Sequence, residues 1–353
     1  MNLKDIQIGK YAIGMHHRPF IVAEMSGNHN QSLERAFELI DLAAKAGAHA
    51  VKIQTYTPDT MTIDQVGGSF SIQDPNSLWY NRNLYELYKE AYTPWEWHPA
   101  FFDHAKKAGI LIFSTPFDET AVDMLEELNV PLYKIASFEN NDIPLLRKVA
   151  STKKPVIISS GVSTVSVLDD AIRCLRSHGA NDIVMLKCTS TYPATPENSH
   201  LNTIPHMSQL FQCHVGLSDH TMGVGAAVAS VALGARVIEK HFTTARADGG
   251  VDSAFSIEPH ELALLVEESH RAFLSLGDVS YGIQKTEQSN LKYKRSLYVV
   301  ADIVEGERLT SDNIRVIRPA DGLPPMYLDL VIGKRATRNI AKGTALSWDD
   351  LMK

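Results

Sequence analysis

The chain is patterned as short apolar runs that end in polar groups, each followed by a segment of helical length. Phe20-Ile21-Val22-Ala23-Glu24 is the first such run, and it reads as a buried strand ending in a carboxylate. A polar turn, Gly27-Asn28-His29-Asn30, leads to Ser32, which can cap a helix running to about Lys45. Further strands are predicted over 50–54, 110–114, 131–137, 156–161 and 183–188. Helices are predicted over 99–108, 120–128, 143–151 and 164–178. Two more runs, over 215–221 and 237–243, each place one histidine just past the apolar part, His220 and His241. An Ala/Val/Gly helix at 223–234 separates them, and a closing helix covers 258–276.

Eight strands alternating with helical segments over roughly residues 20 to 276 predict a (β/α)8 TIM barrel, which typically takes ~250 residues. An open doubly wound sheet is the competing arrangement. No Gly-x-Gly-x-x-Gly turn follows the first strand, which disfavours its dinucleotide-binding version.

The pattern breaks twice. Residues 56–98 are long, polar and aromatic, with Trp79, Tyr80, Tyr85, Trp95 and Trp97. They read either as a functional loop or as a surface helical excursion with its own small core. Residues 281–294 read as a polar linker between a catalytic domain (1–280) and a small module (295–353). That module contains an echo: Ile303 to Ile314 repeats in pattern as Ile340 to Leu351, each with a Gly turn, a Leu, a Ser/Thr cap and an acidic turn.

Composition changes this picture little. Hydrophobic residues at 44% and charged residues at 21% are ordinary for a globular protein. A net charge of -7 leaves no general nucleic-acid footprint. No stretch approaches a membrane span or a signal peptide, so the cytoplasm is expected. The three cysteines, Cys174, Cys188 and Cys213, show no CxxC spacing and fit a reducing compartment.

The polar residues at the predicted strand ends are the candidate chemistry: Glu24, Lys52 with Gln54, Ser114 with Thr115, Lys134 with Ser137, Ser159 with Ser160, Lys187, Ser218 with His220, and His241. A barrel carries its active site at that end. An unpaired buried ammonium is costly, so a bound phosphate or carboxylate is expected to pair the lysines. His220 and His241, carried to one end of neighbouring parallel strands, suit a divalent metal with open positions. The alternative is one histidine capping a loop and one satisfied in the core, and the pattern leaves both open. A metal hydrolase on the same barrel is a rival, opposed by Lys52, Lys134 and Lys187. A carbohydrate- or ice-binding protein is suggested only by the small module.

Several motifs together resemble the sialic acid synthase family: Ile21-Val22-Ala23-Glu24 with Asn28-His29-Asn30, Val51-Lys52-Ile53-Gln54-Thr55, Ser114-Thr115-Pro116-Phe117-Asp118, Tyr133-Lys134-Ile135-Ala136-Ser137, Gly216-Leu217-Ser218-Asp219-His220-Thr221 and Glu239-Lys240-His241-Phe242-Thr243. The small module resembles that family's antifreeze-like (SAF) domain. The resemblance covers nearly the whole chain. Residues 77–98 resemble most the branch that takes a 6-deoxy diacetamido sugar, with the neuraminate and legionaminate branches as alternatives.

The resemblance implies a transferase that condenses phosphoenolpyruvate with an N-acetylated amino sugar, releasing phosphate. It implies that His220 and His241 hold Mn2+ or Mg2+, or else Co2+. Lys52, Thr115, Lys134, Ser137, Ser159, Ser190 and Ser218 would hold phosphoenolpyruvate. Gln54, Glu139, Tyr192 and Asp252 would line the site for sugar or water, with Asp252 also in a catalytic role. Glu24 is expected either to hold a sugar hydroxyl or to carry a proton. Arg318 would reach from the SAF domain into the site of a second copy, which implies a domain-swapped homodimer. Ser190-Thr191 departs from the family, which typically has Asn there.

Overall fold

The computed structural model describes residues 3–352. A hairpin opens the chain, β1 (Ile6–Ile8) paired antiparallel with β2 (Tyr11–Ile13). Eight parallel strands follow: β3 (Phe20–Glu24), β4 (Ala50–Thr55), β5 (Leu111–Pro116), β6 (Tyr133–Ile135), β7 (Val156–Ser159), β8 (Ile183–Cys188), β9 (His214–Ser218) and β10 (Val237–His241). They close into a barrel in which β10 pairs with β3, so the predicted (β/α)8 architecture is what the chain adopts.

The cap predicted at Ser32 forms, and Thr164, predicted only as the start of a helix, acts as a cap too. Leu33–Lys45 starts where the Ser32 side chain accepts from the Arg35 N–H, and Val165–Ser177 starts where Thr164 accepts from Val167. In the barrel unit, the opening hairpin and the helix Thr203–Phe211 between β8 and β9 are among the elements with no counterpart in the sequence reading. Strand alternation divides the apolar residues into two layers. Ile21, Val51, Ile112, Ile135, Ile158, Met185, Leu217 and Ile238 face the helices. Phe20, Val22, Ala50, Phe113, Leu132, Ile157, Val184, Leu186 and Val237 fill the interior, and Ile6, Ile8 and Ile13 of the hairpin pack against them. The lower half of the interior is therefore a packed apolar plug, and only the C-terminal ends of the strands are free to carry polar groups.

Gly216 is the one strand position where no side chain fits. A Cβ there would stand 2.2 Å from the Val237 carbonyl oxygen, so glycine lets β9 and β10 approach. Residues 56–98 include the helical excursion that one of the two readings expected. They contain a helix, Leu84–Ala91, with Leu87 buried, and a loop from which Trp79 donates to the Val251 carbonyl at 3.1 Å.

The chain divides into two compact units between Gly277 and Asp278. Within the second, residues 281–294 are not featureless, since a 3-10 helix spans Lys285–Tyr293. The strands β11 (Ser296–Val299) and β12 (Ile314–Ile317) pair antiparallel. The echo is visible as near symmetry: Ile303 and Ile340 exchange both backbone hydrogen bonds, at 2.9 and 2.8 Å. Ile303, Leu309 and Ile314 share one core with Ile340, Leu346 and Leu351.

Candidate active site

The inward parity that fills the lower barrel with apolar groups continues upward as polar ones. On β3 it runs Phe20, Val22, Glu24; on β4 Ala50, Lys52, Gln54; on β6 Leu132, Lys134; on β10 Val237, Glu239, His241. Lys52 Nζ stands 2.5 Å from Glu24 Oε2 and 3.8 Å from Glu239 Oε1, and it donates to Thr115 Oγ1 at 3.2 Å. Lys134 Nζ stands 3.5 Å from Glu239 Oε1 and donates to Ser159 Oγ at 2.7 Å. The Ser218 hydroxyl donates to Glu239 Oε1 at 3.1 Å. All of these groups are buried.

The sequence reading expected a bound anion to pair the lysines and gave Glu239, which stands between Lys52 and Lys134, no part in it. The chain supplies its own carboxylate between them. Burial would push Glu239 up, but the ammoniums of Lys134 and Lys52 hold it below the ordinary carboxylate range. Burial opposes the charge on Lys52 too, yet Glu239 and Glu24 hold its pKa above the usual value. Lys134 has only partial compensation, and burial lowers it. Glu24 is raised by burial, against the pull of Lys52, and its Oε2 accepts no hydrogen bond beyond that ion pair.

Around these charges lies a ring of hydroxyls. Ser137 Oγ accepts from the Gly161 N–H at 3.2 Å. A Cβ at Gly161 would stand 2.2 Å from Ser190 Oγ and 2.6 Å from Ser137 Oγ, so both serines converge on a backbone that must be bare. Cys188 Sγ lies 3.6 Å from Ser190 Oγ. Its thiol is raised by burial, but the neighbouring His220 outweighs this and brings it to about 6. The sequence reading gave no cysteine a place in the site. Parity with Val184 and Leu186 is the signal that marks Cys188 as inward-facing.

The second half of the mouth is built on imidazoles. The ring centroids of His220 and His241 are 5.4 Å apart, at the ends of adjacent strands as expected. His220 Nδ1 bonds the Thr189 carbonyl at 2.9 Å, which leaves Nε2 for another partner. His241 is held well below its usual pKa, first by burial and then by His220 and the lysines. His241 Nδ1 is buried without a hydrogen bond and lies 3.8 Å from Asp252 Oδ2. Asp252 in turn accepts from Ser26, and Gln54 donates to both Ser26 Oγ and Glu24 Oε1 at 3.0 Å. The Tyr192 ring lies tilted against His220, with centroids 4.4 Å apart, and Phe255 lies edge-on 4.9 Å from His241. Trp79 extends this aromatic wall, 5.8 Å from Tyr192.

Two neighbouring imidazoles, one with a buried ring nitrogen lacking a hydrogen bond, are a donor set that a divalent ion would suit. Among the described residues, no three His, Cys, Asp or Glu side chains converge into a complete metal cage. Burial works against charge on His220, but Cys188, Thr189 and Glu239 hold its pKa above the ordinary histidine value.

Glu139 lies on the 3-10 turn after β6, with Oε2 buried and unpartnered. Burial raises it to about 7. Three expected residues do not join the others: Lys187, Ser114, and Ser160, which has the outward parity of Ile158 and lines the same cleft as Lys187. Lys187 has the outward parity of Met185, donates to the Cys188 carbonyl and Thr189 Oγ1, and lines a cleft with Val165, Leu168 and Met207 of the flanking helices. Ser114 likewise turns away from the interior and bonds Thr55 at 2.6 Å. Arg318 is an exposed residue of the second unit.

Buried ammoniums, a hydroxyl ring and paired imidazoles converge at the C-terminal mouth of a (β/α)8 barrel, the end at which enzymes of this fold carry their active sites. The chain belongs to the NeuB family, which it matches over residues 39–281, and residues 294–352 match the SAF domain. It is 42% identical over 345 residues to a pseudaminic acid synthase of Campylobacter jejuni, covering 98% of this chain and 99% of that one. It is also 42% identical over 334 residues to that of Helicobacter pylori, covering 94% and 98%. Among solved structures, an N-acetylneuraminic acid synthetase from Leptospira borgpetersenii, in complex with citrate, matches with a TM-score of 0.73 at 32% identity. That match covers 82% of this chain and 96% of the other.

Proposed function

We propose that this chain is a transferase that condenses phosphoenolpyruvate with 2,4-diacetamido-2,4,6-trideoxy-L-altrose, giving pseudaminic acid and inorganic phosphate. The observation that carries the reading is the convergence of Lys52, Lys134 and the hydroxyl ring beside His220 and His241. The 42% identity to pseudaminic acid synthases supports the choice of sugar.

In this reading Lys52, Lys134, Thr115, Ser137, Ser159, Ser190 and Ser218 bind the phosphate and carboxylate of phosphoenolpyruvate. The ammoniums orient the anion and stabilise charge as it develops. Gln54, Glu139, Tyr192 and Asp252 face the sugar. His220 and His241 would hold Mn2+, Mg2+ or Co2+, which when bound supplies Lewis-acid polarisation of the open-chain aldehyde. The enol carbon C3 attacks the aldehyde carbon and forms the new C–C bond. Water then adds at C2, and the C–O bond to phosphate breaks. Glu24, buried with a raised pKa and held by Lys52 and Gln54, takes and returns a proton at a sugar hydroxyl. Arg318 completes the site from a second copy in a domain-swapped dimer. The cytoplasm is the compartment that suits phosphoenolpyruvate and three free cysteines.

Phosphate release and product mass test the reading directly. Phosphate should appear only when phosphoenolpyruvate and the 6-deoxy sugar are both present. Equal or better turnover of a neuraminate or legionaminate precursor would replace the sugar assignment. Phosphate release from phosphoenolpyruvate alone would overturn the condensation.

A further inference from the structure

The ladder between β9 and β10 ends before it reaches either histidine. Its register runs Val237–Gly216, Ile238–Leu217 and Glu239–Ser218, and its last bond goes from the Asp219 N–H to the Glu239 carbonyl. Beyond Glu239, β10 stays paired to β3, with Lys240 opposite Ala23 and His241 opposite Glu24. The chain after β9 leaves the sheet instead, and the His220 carbonyl accepts from the Ala194 N–H. Backbone pairing between β9 and β10 therefore does not set the distance between the two imidazoles.

A side-chain link spans that gap. Lys240 Nζ donates to Asp219 Oδ2 at 2.7 Å and to the Thr221 carbonyl at 2.6 Å. Asp219 Oδ1 accepts from the Thr221 N–H at 3.0 Å and from its hydroxyl at 2.8 Å. One ammonium thus grips the residues on both sides of His220, from the residue that precedes His241. Lys240 and Asp219 are among the most buried charged groups of the molecule. They have the outward parity, so they touch neither the hydroxyl ring nor the carboxylates of the mouth.

We infer that the buried Lys240–Asp219 ion pair is a positioning device that fixes the separation and aim of the His220 and His241 imidazoles for a shared divalent ion. The inference rests on the metal reading proposed above. A bridge in a low-dielectric layer is stiff, because separating the partners leaves two charges buried and unpaired. Groups of this kind behind metal ligands characteristically alter metal affinity about 10- to 100-fold when changed.

The test is Co2+ titration of the metal-stripped full chain, followed by the visible absorption of the bound ion, with His241→Ala as the control. The probe variant is Lys240→Met with Asp219→Asn, which removes both charges together. It retains an oxygen to accept from Thr221. The double variant should melt close to wild type and bind phosphoenolpyruvate with unchanged affinity. It should bind Co2+ about tenfold or more weakly, with an altered absorption band. If the double variant does not fold, Lys240→Arg, which keeps both charges but changes the reach of the bridge, carries the same expectation. Undiminished Co2+ affinity and an unchanged band in a folded variant overturn the positioning role. Wild-type protein that takes up no Co2+, or His241→Ala that takes it up equally, overturns the metal reading and this inference with it.

Discussion

Lys134 and Glu239 face each other across the full width of the barrel, on strands that lie four positions apart in either direction around it, with Nζ 3.5 Å from Oε1. Lys52 reaches the same oxygen from a third strand. The site is a network that is charged before any substrate arrives. Its members stabilise one another, so removing one exposes the rest.

Glu239→Ala should therefore destabilise the fold by about 3–5 kcal/mol, the usual consequence of stripping a buried cation of its partner. Saturating inorganic phosphate should restore part of the lost melting temperature by supplying the missing anion, and Glu239→Gln should lose less. Thermal denaturation of the three proteins, with and without phosphate, is the measurement.

Lys134→Met should raise the KM for phosphoenolpyruvate or lower kcat/KM by about 10- to 100-fold, the scale of a charge-assisted hydrogen bond. Lys187→Met should leave steady-state kinetics unchanged, since Lys187 faces the helices. Equal damage from the two substitutions would contradict the parity argument.

Glu139 supplies a pH dependence with a definite sign. Its folded pKa of about 7 lies above the ordinary 4.5, and burial is the cause. Between those values the unfolded chain loses this proton while the folded chain keeps it. Stability should fall as pH rises from about 4.5 to about 7 and then level off, by at most about 3 kcal/mol from this group. Glu139→Gln should remove that slope and be the more stable protein above pH 7. Urea unfolding of both proteins at pH 5 and pH 8 reads the difference.

Trp79 closes the aromatic wall next to Tyr192 and Phe255. An apolar wall accepts a methyl group and leaves an added hydroxyl without a partner. Trp79→Ala should shift the kcat/KM ratio between 6-deoxy and 6-hydroxy sugars about tenfold toward the hydroxylated one. The KM for phosphoenolpyruvate should not move. Competition between the two sugars, resolved by product mass, would measure it.

Arg318 tests the proposed exchange between copies. Arg318→Ala and His241→Ala should each be nearly inactive. Mixed and re-equilibrated, they should recover about a quarter of wild-type activity, because mixed dimers carry one intact site. No recovery from dimers shown to have mixed would place Arg318 outside the partner's site.

Much of this was legible in the sequence. The alternation of apolar runs with helical segments set out eight strands and the barrel, and Ser32 and Thr164 marked helix starts that the caps bear out. The repeat at 303 and 340 foretold the symmetric small core. The motif spacing placed His220 and His241 on neighbouring strands.

What the linear pattern left open was which lysines belong together. Lys52, Lys134, Lys187 and Lys240 all sit in apolar runs near strand ends, and local sequence treats them alike. Barrel closure separates them. It turns two toward the axis, where Glu239 arrives from the opposite wall, sends Lys187 toward the helices, and buries Lys240 against Asp219. Strand order and side-chain parity, rather than residue type, decide the partner of a buried charge, because in a low-dielectric interior the Coulomb energy depends on distances that only the closed sheet defines.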